Sequence, residues 1–506
     1  MNISNTLSNT ATSFSKPDGR EGFSLGLRAA ALGLLVLFVG RLYANVLTPI
    51  ESVANWVIPR IPMAWFETGL DVLGGYAKPL LYGGFAGALL LVGALGGSAY
   101  LTASRRRPAS RRAIGALTLL PAAALIVAWL LVADGGVFGL SALAWLVYAL
   151  GVVGPVLVRE GFSTTEVQSR SRRRFLERGL TTGATLLAVG GLGAVLIKLV
   201  ERMSVTSVDV RTAGMPAPFT PVDEFYQVSK NLVNPQVDAA SWRLTLSGMV
   251  ERPYALTLPQ LRALPPVNQD ETLTCISNPV GGGLIGNAHW KGVSLSSLLE
   301  RAGVQAGAVD VKLTCADGYT ESFPIAKAME PEVVLAYEMN GAPLTDSHGA
   351  PARLLVPNIY GMKNTKWLEK IEIVGTDYQG YWQRQGWSDT AIIQLISQVR
   401  VPGKADKIQA GSAVKVGGIA FAGSRGVAKV EWSADAGTTW REARLGEEVA
   451  LNSWRFWEAD WTPERSGPAV LTARVTDGKG AVQIAEESPT LPNGSTGFHL
   501  VPVNVT

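Results

Sequence analysis

Long unbroken apolar runs fill the first two-fifths of this chain, and short interrupted ones fill the remainder. Residues 25–47, 80–103, 114–131, 140–158 and 179–200 are each apolar over about the length that a bilayer core demands. After Glu201 the texture changes. Residues 242–247 alternate apolar and polar positions as a strand does, and 258–264 and 295–302 carry helical spacing. Residues 311–314, 353–356 and 371–374 read as further strands. Beyond about Ala410, strands at 414–419, 428–433 and 470–476 are separated by Gly, Asp and Ser turns, the spacing of a β-sandwich. The pattern predicts five transmembrane helices, then an α+β domain, then a β-sandwich, with a short N-terminal tail over 1–24 and a Pro-rich linker over 201–222.

Charge orients this arrangement. The formal net charge of +4 comes largely from short basic loops between apolar runs, so it marks membrane direction and does not suggest nucleic acid. The loops holding Arg105, Arg106, Arg107, Arg111 and Arg112, and Arg170, Arg172, Arg173 and Arg174, are strongly basic. The stretch between the first two runs mixes Glu51, Glu67 and Asp71 with Arg60 and Lys78. By the positive-inside rule the N-terminus and both basic loops face the cytoplasm, and the C-terminal half faces outward. Arg28 and Arg41 lie within the first run, where a central arginine costs about 2.5–3.5 kcal/mol, so both are expected near its ends, snorkelling.

The stretch Ser171-Arg172-Arg173-Arg174-Phe175-Leu176 immediately precedes the fifth run. A twin-arginine signal there governs the residues C-terminal to it, and that route carries domains already folded around a cofactor. Three arginines in a cytoplasmic loop are the plainer reading.

Metal-binding side chains are scarce: the chain has two cysteines and three histidines. His289, His348 and His499 all lie beyond the apolar runs, so the inventory excludes a bis-histidine haem in the membrane. The runs read as an anchor or a docking surface for a partner subunit, with a quinone pocket left open. Cys275 ends a strand-like stretch, Thr272-Leu273-Thr274-Cys275, and opens a loop with glycines 281 to 283, which would leave its sulfur at a cavity rim. A lone cysteine is more often a small buried hydrophobe, and Cys275 and Cys315 could instead pair as a disulfide. A chain folded in a reducing cytoplasm would not form that bond before export.

Several blocks resemble the sulfite oxidase superfamily of molybdopterin enzymes: Cys275-Ile276-Ser277-Asn278, Trp290-Lys291-Gly292-Val293, Ala336-Tyr337-Glu338-Met339-Asn340-Gly341, His348-Gly349-Ala350-Pro351-Ala352-Arg353 and Lys366-Trp367-Leu368. Val430-Glu431-Trp432-Ser433 and Trp454-Arg455-Phe456-Trp457 resemble that family's second domain. The resemblance covers most of residues 220–503, and the anchor with its internal twin-arginine signal is similar to a bacterial subgroup. It implies a five-helix transmembrane bundle over 25–200, an α+β sulfite-oxidase-type molybdopterin domain over 223–380, a connector over 381–409 and an immunoglobulin-like β-sandwich over 410–506. It also implies a molybdenum-cofactor oxidoreductase in a bacterial plasma membrane.

The site residues are expected from the same resemblance. Soft sulfur suits molybdenum, so Cys275 is the expected thiolate ligand and Tyr337 the expected active-site phenol. Phe225 and Tyr226 are expected along the pterin. His348, Arg353, Lys363 and Lys366 are expected near the pterin and its phosphate, and Cys315 falls near a pterin-contacting position, with packing as its alternative role. One departure stands out: where the family gathers arginines for the sulfite dianion, this chain has Val228, Val280 and Leu500. That predicts oxygen-atom transfer on a neutral or weakly charged small molecule. Electrons would pass through a separate cytochrome or quinol, and two copies would pair through the sandwich. A catalytically inactive binding or assembly protein on the same fold is the alternative. An outward-facing transporter finds little support, because the runs lack acidic residues and inverted halves.

Overall fold

The computed structural model describes residues 17–44, 46, 48–49, 51–52, 77–106, 141–152, 190–202, 214–231, 233–403 and 406–506. The chain divides into two compact units, one over Met1–Met203 with Asn231–Val233, the other over Ser204–Lys230 with Asn234–Thr506.

In the first unit the described helices are α1 (Pro17–Ala44), α2 (Ala77–Arg106), α3 (Ser141–Val152) and α4 (Leu192–Arg202). Small residues let α1 and α2 approach closely. A Cβ added at Gly97 would stand 2.5 Å from Gly26 Cα, and Gly22 meets Ser98 one turn away. Among the described residues, two helices rather than five are long and apolar enough to cross a membrane, over Arg20–Tyr43 and Tyr82–Ala103. The expected span 114–131 lies outside the described residues, as do 179–189 of the fifth span, the end of 140–158 and the twin-arginine stretch. Arg41 does not snorkel. It is buried, with Nε 2.8 Å from Glu51 Oε1, and Thr48 donates its backbone N–H (2.8 Å) and hydroxyl (3.0 Å) to the other carboxylate oxygen. A paired guanidinium has no need to reach water.

In the second unit the first elements are β1 (Arg243–Gly248), β2 (Tyr254–Thr257), α5 (Leu258–Arg262), β3 (Val267–Thr274), β4 (Ile285–Ser294) and α6 (Leu295–Ala302). Next come β5 (Asp310–Cys315), β6 (Thr320–Pro324), α7 (Ile325–Ala328), β7 (Val334–Met339), β8 (Ala342–Pro343), β9 (Arg353–Leu355) and β10 (Leu368–Val374). Thr257 and Gln260 close a capping box that starts α5. α6 buries Leu295, Leu298, Leu299 and Ala302, the one-sided spacing its sequence carries. One mixed sheet has the order β2-β1-β10-β5-β6, with β1 parallel to β10. The other runs β3-β4-β7-β8, with β9 also on β7. Together with the short helices they make the α+β domain that the pattern predicts.

The chain continues as β11 (Ile396–Val401), β12 (Val414–Phe421), β13 (Val427–Ser433), β14 (Arg441–Glu442), β15 (Arg444–Leu445), β16 (Arg455–Trp461), β17 (Gly467–Asp477) and β18 (Val501–Val505). Two four-stranded sheets, β11-β12-β16-β15 and β14-β13-β17-β18, share one core around Trp432, Trp457, Val416, Val430 and Leu471. β11 lies in the stretch expected to be a connector. It pairs with β12 from Ile396↔Phe421 onward, so the sandwich begins earlier than the turn spacing suggests.

Candidate active site around Cys275

The last four residues of β3 are fully buried, so the strand delivers Cys275 into the interior. Leu273 and Cys275 share one face, as alternate strand positions do, and pack with Phe225, Tyr226, Ala288, Trp290 and Ala336. The loop after Cys275 is closed on itself. Cys275 N–H donates to Leu284 O (2.9 Å), Asn278 N–H to Cys275 O (3.1 Å), and Asn278 Oδ1 accepts Leu284 N–H (2.9 Å). Burial pushes the Cys275 thiol up, against the pull of Ser277, whose hydroxyl lies 3.0 Å from the sulfur.

Aromatic rings and cations surround this core. Phe225 stacks on Tyr226 at 5.4 Å and meets Trp290 and His348 edge-on at 5.9 and 5.6 Å. His348 Nε2 lies 2.8 Å from Val222 O, so the N–H sits on Nε2, and burial holds the ring's pKa down at about 4. Arg353 is buried over the Trp290 ring at 5.2 Å. It donates from Nη1 to His348 O (3.3 Å) and from Nη2 to Asn364 O (3.1 Å). Desolvation lowers its pKa to about 10. Lys366 reaches Ser347 O at 3.1 Å and covers Trp367. The 360–366 turn is tied to the cysteine strand by Gly361 N–H donating to Thr274 O at 2.8 Å. A Cβ at Gly361 would stand 2.7 Å from Tyr226 Oη, so this turn must be glycine for Tyr226 to lie where it does.

The expected residues are therefore only partly assembled. Phe225, Tyr226, Cys275, His348 and Arg353 come together, and Lys366 lies within electrostatic reach of Cys275. Cys315 ends β5, buried, and burial pushes its thiol well up. Both cysteines are free, so the disulfide alternative is not adopted. Tyr337 is not in the Cys275 cluster. It is buried beneath the Arg262 guanidinium of α5, 5.3 Å from the ring, while its strand neighbour Ala336 faces the cysteine. Tyr226 and Tyr360 are the phenols within electrostatic reach of Cys275. Lys363, expected at the cofactor, is instead buried against Glu321 Oε1 (3.1 Å) and Ser322 O (2.6 Å).

Sequence reading also passed over Glu271. It is buried on the Cys275 face of β3, and desolvation raises its pKa to about 8, against the Gln269 amide and Arg353. An acidic residue two positions before Leu273 on a core-facing strand was the available signal. Of the three aliphatics at the substituted arginine positions, Val228 packs against the cluster, and Val280 and Leu500 are 36% and 44% exposed.

Comparison with known proteins fits this geometry. The family model "Oxidoreductase molybdopterin binding domain" matches residues 231–382. The uncharacterized oxidoreductase YuiH of Bacillus subtilis (strain 168) is 32% identical over 150 residues, 30% of this chain and 74% of that one. The chain belongs to the molybdopterin-binding oxidoreductase family. Sulfite oxidase of Arabidopsis thaliana is 28% identical over 334 residues, 54% of this chain and 84% of that protein. Mitochondrial sulfite oxidase of Rattus norvegicus is 30% identical over 271 residues, 44% of this chain, which spans 50% of the rat protein's length. The sulfane dehydrogenase SoxCD of Paracoccus pantotrophus shares the fold, with a TM-score of 0.52 and 22% identity over 60% of this chain and 89% of that one. This family member is a molybdenum-cofactor oxidoreductase of the sulfite oxidase type. Its residues fit the group: Cys275 offers a soft sulfur, and buried Arg353 keeps an Nε–H with no acceptor among the described residues, as an anionic ligand requires.

Proposed function

We propose that this protein is a membrane-anchored oxidoreductase that carries out two-electron oxygen-atom transfer on the extracytoplasmic side. We further infer a neutral or weakly charged substrate, such as a sulfoxide or N-oxide, in place of sulfite. The observation that carries the reading is a cysteine delivered by a buried strand end into a cluster of aromatic rings and cations. When bound, the cofactor supplies the redox-active metal and the oxygen-transfer chemistry. Cys275 would hold the metal, with Phe225, Tyr226, Cys315 and His348 along the pterin and Arg353 and Lys366 on its anionic part. Tyr226 and Tyr360 are the better candidates for holding a proton beside the metal, since Tyr337 lies on the other side of its strand. Lys363 acts from outside, by fixing the turn that carries Lys366.

Val228, Val280 and Leu500 support the substrate class, because a dianion stripped of water needs fixed cations that these positions do not offer. Lys230 is held by Asp317, whose backbone oxygen lies at 2.8 Å. α1 and α2, with Leu91 and Val92 of α2 exposed, support anchoring in a bilayer. The five-span topology, the twin-arginine signal, the separate cytochrome or quinol and pairing through an immunoglobulin-like sandwich belong to the same proposal, as do the domain bounds.

Full-length protein from cofactor-competent cells tests it. Wild type should contain molybdenum and give a Mo(V) paramagnetic signal that Cys275→Ser abolishes or reshapes. With an artificial electron donor it should reduce sulfoxides or N-oxides. Efficient sulfite oxidation would refute the substrate class, and an absence of molybdenum would refute the whole reading.

A further inference from the structure

The loop after Cys275 is gripped by the β-sandwich. Ser495 Oγ donates to Asn278 O at 2.8 Å, and Gln398 Nε2, on β11, donates to Gly282 O at 2.9 Å. Between these points the His499 ring lies on Gly281, in the space a Cβ there would fill. Gly281 also has φ +73°, so backbone conformation and the adjacent ring both require glycine. His499 is itself oriented: its Nδ1 accepts the Val399 N–H at 3.2 Å, which places the proton of a neutral ring on Nε2. The three side chains thus meet residues 278, 281 and 282, spanning the loop from its first turn to its glycines.

The grip continues into the strand that delivers the cysteine. Thr272 N–H donates to Asn452 O (2.9 Å), and Thr272 Oγ1 accepts Trp454 N–H (2.8 Å). Ser453 Oγ donates to Asn287 Oδ1 at 3.1 Å. All of these partners lie in the sandwich. Internal bonds give the loop its shape, and the contacts to the sandwich give it a position.

We propose that Gln398, Ser495 and His499 form a latch through which the C-terminal sandwich sets the position of the Cys275 sulfur and of the exposed Val280. They are positioning residues. The inference rests on the proposed reading of Cys275 as the metal ligand. Because the loop is closed on itself, releasing the latch should shift it as a body, moving the sulfur and Val280 together while the cofactor cradle keeps its contents.

The experiment compares full-length, cofactor-loaded wild type with Gln398→Glu, Ser495→Ala and His499→Ala. Gln398→Glu keeps the shape and removes the N–H donor. Molybdenum content, melting temperature, the Mo(V) spectrum, kcat and KM with a sulfoxide are measured. The latch predicts wild-type molybdenum content, altered g-values, and a fall in kcat on the order of ten- to a hundredfold in the Gln398→Glu, His499→Ala double variant. His499→Asn, whose amide oxygen can accept the Val399 N–H, should return the spectrum toward wild type. Unchanged spectrum and kcat in a double variant that keeps its molybdenum would overturn the latch. Loss of molybdenum from the variants would also overturn it, because the cradle and not the loop position would then depend on these residues. A wild type without molybdenum would instead remove the reading beneath it.

Discussion

Lys363→Met is the most informative single substitution. The ammonium is 1% exposed and faces a Glu321 carboxylate that is 0% exposed, with Asp389 3.8 Å away on the solvent side. Removing it strands a buried negative charge and leaves Ser322 O without its 2.6 Å donor. Breaking a buried pair from one side costs about 3–5 kcal/mol. Glu321 keeps three donors: the Tyr319 hydroxyl at 2.8 Å, the Ser322 N–H at 2.9 Å and the Gln383 amide. These place the loss at the lower end, about 3 kcal/mol, or roughly 6–12 °C in melting temperature at about 2–4 °C per kcal/mol. Thermal unfolding of the full chain in detergent, monitored by tryptophan fluorescence, reads the shift. Adding Glu321→Gln should recover at least half of it, since the stranded charge is gone. Arg444→Ala, in an exposed, solvent-screened network with Glu458 and Asp460, serves as control and should melt like wild type. A Lys363→Met protein that melts like wild type but has lost its molybdenum would refute the reasoning and return Lys363 to the cofactor.

The site makes two further outcomes testable. Because burial raises the Glu271 pKa to about 8, the folded state holds a proton that the unfolded chain has released, so Glu271 stabilises at low pH and this is lost as pH rises toward 8. His348, lowered to about 4, works in the opposite sense below its ordinary value of 6.5, which leaves pH 6.5–8 as the clean window. Stability should fall there by up to about 1.4 kcal/mol per pH unit in wild type and less in Glu271→Gln, as denaturant titrations at several pH values would show. A slope identical in the two proteins would contradict the assignment. Gly361→Ala pushes a methyl against Tyr226 Oη and should cost about 1–3 kcal/mol and lower molybdenum occupancy, read by melting and metal analysis.

The elements were legible where one local period dominates. α6 and β1 lie within a residue of the positions their spacing predicts, because each presents one face to a core. β11 was missed because Ile396–Val401 reads as a connector until β12 supplies its partner. The placing of Cys275 at a buried strand end was legible because a strand ending before a Gly-rich loop is a local arrangement. Tyr337 was misplaced because a sequence block gives a residue's position in a strand, while the face it presents depends on the bulge between Lys291 and Gly292 where β4 meets β7. Lys363 and Lys366 are three residues apart in one basic cluster, yet Glu321, distant in sequence, draws one of them inward.

The apolar runs, the α+β and sandwich segments and the family blocks can be read straight along the chain, because each depends on neighbours in sequence. Tertiary structure alone decided which phenols stand near the cysteine, which lysine is consumed by a buried carboxylate and which sandwich side chains hold the loop. Those outcomes depend on direction and burial, and both are set by contacts between residues far apart in the chain, such as Ser495 on Asn278.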